Sequence, residues 1–150
     1  DACASYFGGL VITDNYNRKL IRRENLKDEL SVVILVPERK RYTKSINKEE
    51  IRKFSFLVEE AFNLSLKGEY FKAMIFNGLI YSMIFQESTE VVYEALKLGA
   101  LGVSLSGKGP AIAVVCTDNK VKEISEIFSK FGEKVIVTRV NNRRAELIRR

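Results

Sequence analysis

The chain has 150 residues, of which 46% are hydrophobic and 29% charged, with a formal net charge of +6 and no histidine or tryptophan. That balance fits one compact globular domain and excludes an intrinsically disordered chain, while apolar runs no longer than Val32–Val36 and Ala111–Cys116 exclude a helical membrane span. Two distant cysteines, Cys3 and Cys116, among small or apolar neighbours read as buried free thiols; with no His and no paired Cys a zinc site is not expected, and a cytosolic setting fits best.

Taken in chain order, Leu10–Thr13 reads as a short strand after Gly8-Gly9. Asp14-Asn15-Tyr16-Asn17 is a run of turn formers, and Lys19–Arg23 returns as a second strand, so a hairpin is expected. Ser31–Val36 is a β-branched and leucine run of the kind buried on both faces of a sheet, and it stops at Pro37. Glu38–Lys44 is basic and polar and reads as a surface loop. Asn47 followed by Glu50 predicts a helix start with reciprocal capping. Ile51, Phe54, Val58, Ala61, Phe62 and Ser65 fall on one stripe of that helix. Gly68 ends it. Phe71, Met74, Ile75, Gly78, Leu79 and Ser82 mark a second helix, and Thr89–Leu98 a third that ends at Gly99.

Leu101–Leu105 and Ala111–Cys116 then read as strands. Asp118 is placed to cap a helix with Val121, Ile124, Ile127, Phe128 and Phe131 inward until Gly132, and Lys134–Val140 is a last strand. Helices grouped rather than strictly alternating with strands predict an α+β sandwich. No internal repeat, low-complexity tract or second domain is evident in residues 1–150.

Between the two late strands lies Ser106-Gly107-Lys108-Gly109-Pro110. Two glycines around a lysine make a loop whose backbone N–H groups can approach an anion with a cation at hand, which is the composition of a phosphate loop; the same glycines also suit a plain turn needing positive φ. At the other end, Asp1-Ala2-Cys3-Ala4-Ser5-Tyr6-Phe7-Gly8-Gly9 joins a carboxylate to small residues, a serine, an aromatic pair and two glycines.

These two segments, in this order, resemble the second and third motifs of the GHMP small-molecule kinases, the superfamily of galactokinase, homoserine kinase, mevalonate kinase and phosphomevalonate kinase. The fuller run from Asp1 to Asn15, with Arg18-Lys19-Leu20-Ile21-Arg22-Arg23, looks most like the archaeal type of shikimate kinase. The likeness covers the whole chain as a C-terminal half, and it implies a ferredoxin-like domain with helices packed on an antiparallel or mixed sheet. It further implies ATP and Mg2+ as cofactors and shikimate as the alcohol acceptor, with another GHMP kinase acting on homoserine or mevalonate as the rival reading. Asp1 takes the position of a catalytic base, although Ala2 replaces a commoner Asn. Ser106, Gly107, Lys108 and Gly109 line the phosphates or support the loop that binds them, with Lys108 either lending charge or serving as a solvated turn residue. Ser5 touches substrate or bonds locally. A substrate carboxylate suits a bidentate arginine, with Arg18, Arg22, Arg139 and Arg143 all open candidates.

The family's first motif, Pro-x-x-x-Gly-Leu-Gly-Ser-Ser-Ala, is not found in this sequence, whose prolines are Pro37 and Pro110 alone. The expectation is therefore a partner N-terminal half that carries the main ATP loop, and no ATP turnover by this chain by itself. Five arginines against one glutamate in the last twelve residues read as a solvated tail or as a field attracting ATP and an acidic substrate. A ferredoxin-like regulatory or RNA-binding module is the alternative from another class, weakened by the lack of an aromatic-basic strand motif. Abundant Lys, Glu and Ile resemble the drift of hyperthermophile composition and, with the motifs, an archaeal source.

Overall fold

Strand β3 (Leu30–Val36) organises the larger part of the molecule. In the computed structural model, which describes residues 2–27, 29–39, 48–131 and 134–147, β3 lies in a four-stranded sheet of order β4-β5-β3-β6, with β4 at Gly102–Leu105, β5 at Ile112–Thr117 and β6 at Lys134–Arg139. The first strand of this set thus sits between the third and the fourth, the split arrangement of a ferredoxin-like α+β domain. β4 and β5 pair antiparallel from Gly102 opposite Val115 to Leu105 opposite Ile112.

Two compact units are distinguished, one of residues 1–30 and 139–150, the other of residues 31–138. In the larger unit the core is Val33, Leu35, Val92, Ala95, Val103, Val114, Cys116, Ile124 and Phe128, contributed by β3, α5 (Glu90–Lys97), β4, β5 and α6 (Val121–Phe128). A second cluster, Ala61, Ile80 and Ile84, lies between α3 (Ser55–Leu66) and α4 (Tyr70–Ile84). α4 is apolar on nearly all sides because it is covered twice. Ala73 and Ile80 are among its buried residues, Ile80 in the cluster shared with α3, and Gly78 touches β4. A helix hydrophobic all round is a buried one, and Leu79 and Met83 are its exposed large hydrophobics at 38% and 50%.

The helix predicted as one piece from Asn47 to Ser65 is two. α2 (Lys48–Lys53) stops at Phe54, whose N–H bonds the Ile51 carbonyl at 3.0 Å, while its own carbonyl accepts Leu57 N–H at 3.0 Å and starts α3. A short i→i+3 turn of this kind is a common hinge between helical segments, and it still lets Ile51, Phe54 and Val58 pack on the second cluster. Phe62, expected inward, is 38% exposed. The proposed cap at Asn47, most of the Glu38–Lys44 loop, Gly132, Arg149 and Arg150 lie outside the described residues, as does the side chain of Glu50.

Helices α3, α4 and α5 end in the same way. Gly68, Gln86 and Gly99 have positive φ (+85°, +54° and +90°), and the following N–H reaches back across the turn: Glu69 to Leu64, Glu87 to Ser82, Ala100 to Ala95. These are Schellman caps, which satisfy carbonyls left open by the helix end. At the other end of α6 the sequence expectation changes: residues Asp118–Lys120 form a 3-10 turn before the helix, and the Asp118 carboxylate accepts the Ser31 hydroxyl at 2.6 Å. It thereby ties the start of β3 to the end of β5.

The smaller unit holds a six-residue helix, α1 (Ala2–Phe7), where the sequence suggested only a motif, and the expected hairpin of β1 (Leu10–Asp14) and β2 (Lys19–Glu24). Cys3 is half-buried and Cys116 fully buried, both as free thiols.

Candidate functional site

The glycine loop is built on the most tightly packed part of the larger unit. All four residues of β4 are buried, and α4 rests directly on the strand. A Cβ on Gly78 would lie 2.8 Å from the Ser104 Cα, and one on Gly102 would lie 2.9 Å from the Met74 sulfur. At Gly78, where the neighbour is backbone, only a hydrogen side chain allows that approach, so the strand that delivers the loop cannot shift there without moving a helix.

From this platform residues 106–111 emerge. Ser106 N–H donates to the Ala111 carbonyl at 2.7 Å, closing the base of the loop, and Gly109 N–H donates to the Ser106 carbonyl at 3.0 Å, folding its tip. Gly107 (φ +60°) and Gly109 (φ +67°) both need the left-handed region, and Gly109-Pro110 is a cis peptide. The glycines differ in surroundings. A Cβ on Gly109 would press on the Leu105 side chain at 3.2 Å, whereas one on Gly107 would meet open space. Gly109 is therefore a packing glycine, and Gly107 offers bare backbone on an exposed edge. Ser106 and Lys108 are exposed with it. An exposed, preformed turn with bare backbone and a lysine fits a phosphate group chemically. Among the described residues no group of three or more His, Cys, Asp or Glu could hold a metal ion.

In the smaller unit, Ser5 stands exposed on α1, and Asp1 lies outside the described residues. The Gly8-Gly9 pair that follows α1 is an embedded turn. Both glycines have positive φ, and a Cβ on either would collide with backbone, at the Arg143 carbonyl for Gly8 and the Glu24 carbonyl for Gly9. Gly9 N–H donates to the Asn141 carbonyl at 2.7 Å, and Ala145 N–H donates to the Tyr6 carbonyl at 2.9 Å. The arginine-rich end of the chain exposes the Arg143 and Arg144 side chains to solvent, while its main chain over residues 141–145 runs as a structural strap.

Two residues outside the sequence-derived candidates hold that strap. Arg23 donates through Nε to the Phe7 carbonyl at 3.3 Å and through Nη2 to the Asn142 carbonyl at 2.7 Å. Asn142 pairs both ways with the main chain of Leu26, accepting its N–H at 3.0 Å and donating to its carbonyl at 2.8 Å. Arg23 is available for this because β2 carries a bulge: Ile12 pairs with Arg22 and Thr13 with Leu20, leaving Ile21 without a partner and 42% exposed. The extra residue shifts the alternation so that Arg23 follows Leu20 rather than opposing it. Nothing in the spacing of Lys19–Arg23 announces a bulge. The four arginine candidates remain dispersed: Arg18 occupies the hairpin turn at φ +53°, Arg22 faces Glu24 at 3.8 Å, Arg139 ends β6, and Arg143 contributes its carbonyl to the Gly8 contact.

Comparison with known proteins gives a consistent picture. Residues 61–134 match the family model described as GHMP kinases C terminal. The shikimate kinase of Pyrococcus furiosus is 46% identical over 138 residues, covering 92% of this chain and 49% of its own length. That of Methanothrix thermoacetophila is 37% identical over 147 residues, covering 98% of this chain and 50% of its own. The chain spans about half the length of the curated relatives it matches. Among solved structures, homoserine kinase from Cytophaga hutchinsonii aligns with a TM-score of 0.60 at 22% identity, over 95% of this chain and 51% of that one. L. major mevalonate kinase aligns at 0.59 and 15%, over 94% and 51%. These share the fold, and the α+β expectation with its helices packed on the sheet stands. The glycine loop falls within the segment, residues 61–134, that matches the C-terminal domain family of the GHMP kinases.

Proposed function

We propose that this chain is the C-terminal half of an ATP-dependent shikimate kinase of the GHMP type, transferring the γ-phosphoryl group of ATP to a ring hydroxyl of shikimate to give shikimate 3-phosphate in the cytoplasm. The observation that carries this is identity of 37–46% with archaeal shikimate kinases along almost the whole chain. The homoserine and mevalonate kinases share the fold at 22% and 15% identity. An N-terminal half supplies the main ATP loop.

Transfer to an alcohol needs the hydroxyl oxygen in line with the γ-phosphorus, positive or hydrogen-bonding groups on the transferring charge, and an acceptor for the hydroxyl proton. Asp1 accepts that proton as a carboxylate, and Ser5 orients substrate from the exposed side of α1. Gly107 presents backbone N–H groups to phosphate oxygens without a side chain in the way, Ser106 adds a hydroxyl donor, and Lys108 adds charge. Gly109 keeps the turn seated on Leu105. Mg2+ arriving with the ATP phosphates supplies further charge neutralisation.

The test is ATP consumption by the chain alone and by the chain joined to the N-terminal half of a matched relative, with shikimate, homoserine and mevalonate offered separately. Turnover with shikimate only, and only in the joined protein, is the expected result. Turnover with another alcohol replaces the substrate and keeps the kinase. ATP binding without turnover points to an untested acceptor, and absence of ATP binding returns the chain to a regulatory or RNA-binding role.

A further inference from the structure

Helix α1 carries the sequence motif assigned to chemistry, yet it has no buried residue and spans barely more than one and a half turns. A helix this short is marginal on its own, and with Cys3 and Phe7 only half-buried its placement leans on polar contacts. Those contacts sit at its C-terminal end. The Ala4 carbonyl accepts Gly8 N–H at 3.0 Å, the Tyr6 carbonyl accepts Ala145 N–H at 2.9 Å, and the Phe7 carbonyl accepts Arg23 Nε at 3.3 Å. These are the carbonyls that a helix end leaves open. The same Arg23 guanidinium binds the Asn142 carbonyl, and the Asn142 side chain is locked to Leu26. Arg144 lies 6.0 Å over the Phe7 ring. Arg23 therefore joins the end of α1 to the strap by a hydrogen bond at each side, and Asn142 fixes the strap to the segment after β2.

We propose that Arg23 and Asn142 are positioning residues. Together they form a latch that sets the orientation of α1, and with it the exposed Ser5. The catalytic part of this inference rests on the kinase reading above; the structural part does not. A rigid planar fork suits a bridge between two carbonyls in a way that a lysine ammonium does not, so the role belongs to arginine specifically. Because both side chains act on one strap, their effects are coupled rather than additive.

The test uses Arg23→Met, Arg23→Lys, Asn142→Ala and the Arg23→Met/Asn142→Ala double variant in the full-length polypeptide, with Lys122→Ala on the exposed face of α6 as the control. Displacement of reacting groups by a fraction of an ångström to an ångström costs about tenfold to a hundredfold in rate. The expected result is therefore a kcat at least about tenfold lower in Arg23→Met and Asn142→Ala with KM for ATP nearly unchanged. Arg23→Lys should be intermediate, the double variant little worse than the worse single, and the control unchanged. Amide hydrogen exchange gives the independent readout: the Gly8 and Gly9 amides should exchange at least about tenfold faster while those of residues 31–138 keep their protection. Wild-type turnover in Arg23→Met and Asn142→Ala overturns the positioning role whatever the exchange shows. Loss of protection throughout residues 31–138 also overturns it, because the variants then act on global stability. If the wild-type polypeptide leaves shikimate unphosphorylated, the shikimate reading falls, and exchange at Gly8 and Gly9 alone decides the latch: faster exchange keeps it, unchanged exchange removes it.

Discussion

The two units of this chain are held together by different physics. Residues 31–138 bury a continuous set of aliphatic and aromatic side chains, with Val33, Ala95, Val103, Val114, Cys116, Ile124 and Phe128 all at 0% exposure. Among the described residues of the smaller unit the buried hydrophobic ones are Ile12 and Leu30, and the element that carries the N-terminal motif contributes none. There the order comes from main-chain hydrogen bonds, two embedded glycines, one arginine and one asparagine. Apolar burial is forgiving of small shifts and scales with area, whereas hydrogen bonds hold specific atoms at specific distances and contribute only about 1 kcal/mol each net. Stability is thus concentrated in one unit, and angular precision, at little stability, in the other.

The largest effect should follow from hollowing the apolar unit. Phe128→Ala removes a fully buried ring from the sheet-facing side of α6 and should cost about 3–5 kcal/mol in urea unfolding. A loss under about 1 kcal/mol would mean that the core is not the main source of stability. Gly8→Ala is the counterpart in the polar unit. The left-handed conformation alone costs about 1–2 kcal/mol for a residue with Cβ, and the new atom strikes the Arg143 carbonyl. The expected outcome is local: amides of residues 4–9 and 141–145 lose protection while residues 31–138 keep theirs, and an equal loss in both would erase the distinction between the units. Third comes a pair within the larger unit. Gly78→Ala meets the backbone of Val103 and Ser104, but Gly102→Ala meets the far end of Met74. The first should cost about 1–3 kcal/mol as overpacking and the second clearly less, because a thioether rotates away and a strand does not.

How much of this the sequence discloses follows the same division. Strands β3, β4 and β5 and helices α4, α5 and α6 are legible because apolar periodicity is a direct record of burial, and burial is what makes the larger unit. The glycine loop is legible too, since Gly107 and Gly109 sit where positive φ is needed. Misreadings fall where polar geometry decides. The break at Phe54 leaves the apolar stripe intact and so leaves no mark on it. Asp118 looks like a cap and instead binds Ser31 across 87 positions. Arg23 and Asn142 look like surface charge and a turn residue, and their bond spans 119 positions, with a bulge at Ile21 just before Arg23 that no periodicity reveals. The wording of the N-terminal motif singles out the segment that forms α1 but says nothing of what holds that helix in place.

Gln86 offers a smaller test, of the caps that end the helices. It occupies the left-handed position at the end of α4 that Gly68 and Gly99 occupy after α3 and α5. Replacing it by glycine relieves the Cβ strain but adds freedom to the unfolded chain, a net gain of about 0.5–1 kcal/mol that should appear as a small rise in melting temperature with unchanged turnover. A fall instead would mean that the Gln86 side chain contributes more than its backbone costs.

The smallest effect belongs to the hairpin turn of the polar unit. The Asp14 carboxylate accepts Tyr16 N–H and Asn17 N–H, each at 3.0 Å, and the Asn17 side-chain amide at 2.7 Å. Chiefly the backbone N–H of Asn17, then its side chain, hold the Asp14 pKa below its ordinary value of 3.8, since hydrogen bonds to the charged form favour it. With the folded pKa depressed, the turn's contribution is complete above pH 3.8 and is lost as the pH falls through the lower folded value. Because these bonds lie in an exposed surface turn, the consequence should be confined to the turn. An NMR titration should show the Tyr16 and Asn17 amides moving together at a pH below 3.8, with the amides of β3 to β5 unmoved across the same range. If the two turn amides titrate at or above 3.8, the carboxylate is not bonded as described. If β3 to β5 move with them, the polar unit's local bonds carry global stability, and the division between a unit built on burial and a unit built on hydrogen bonds fails at its most exposed point.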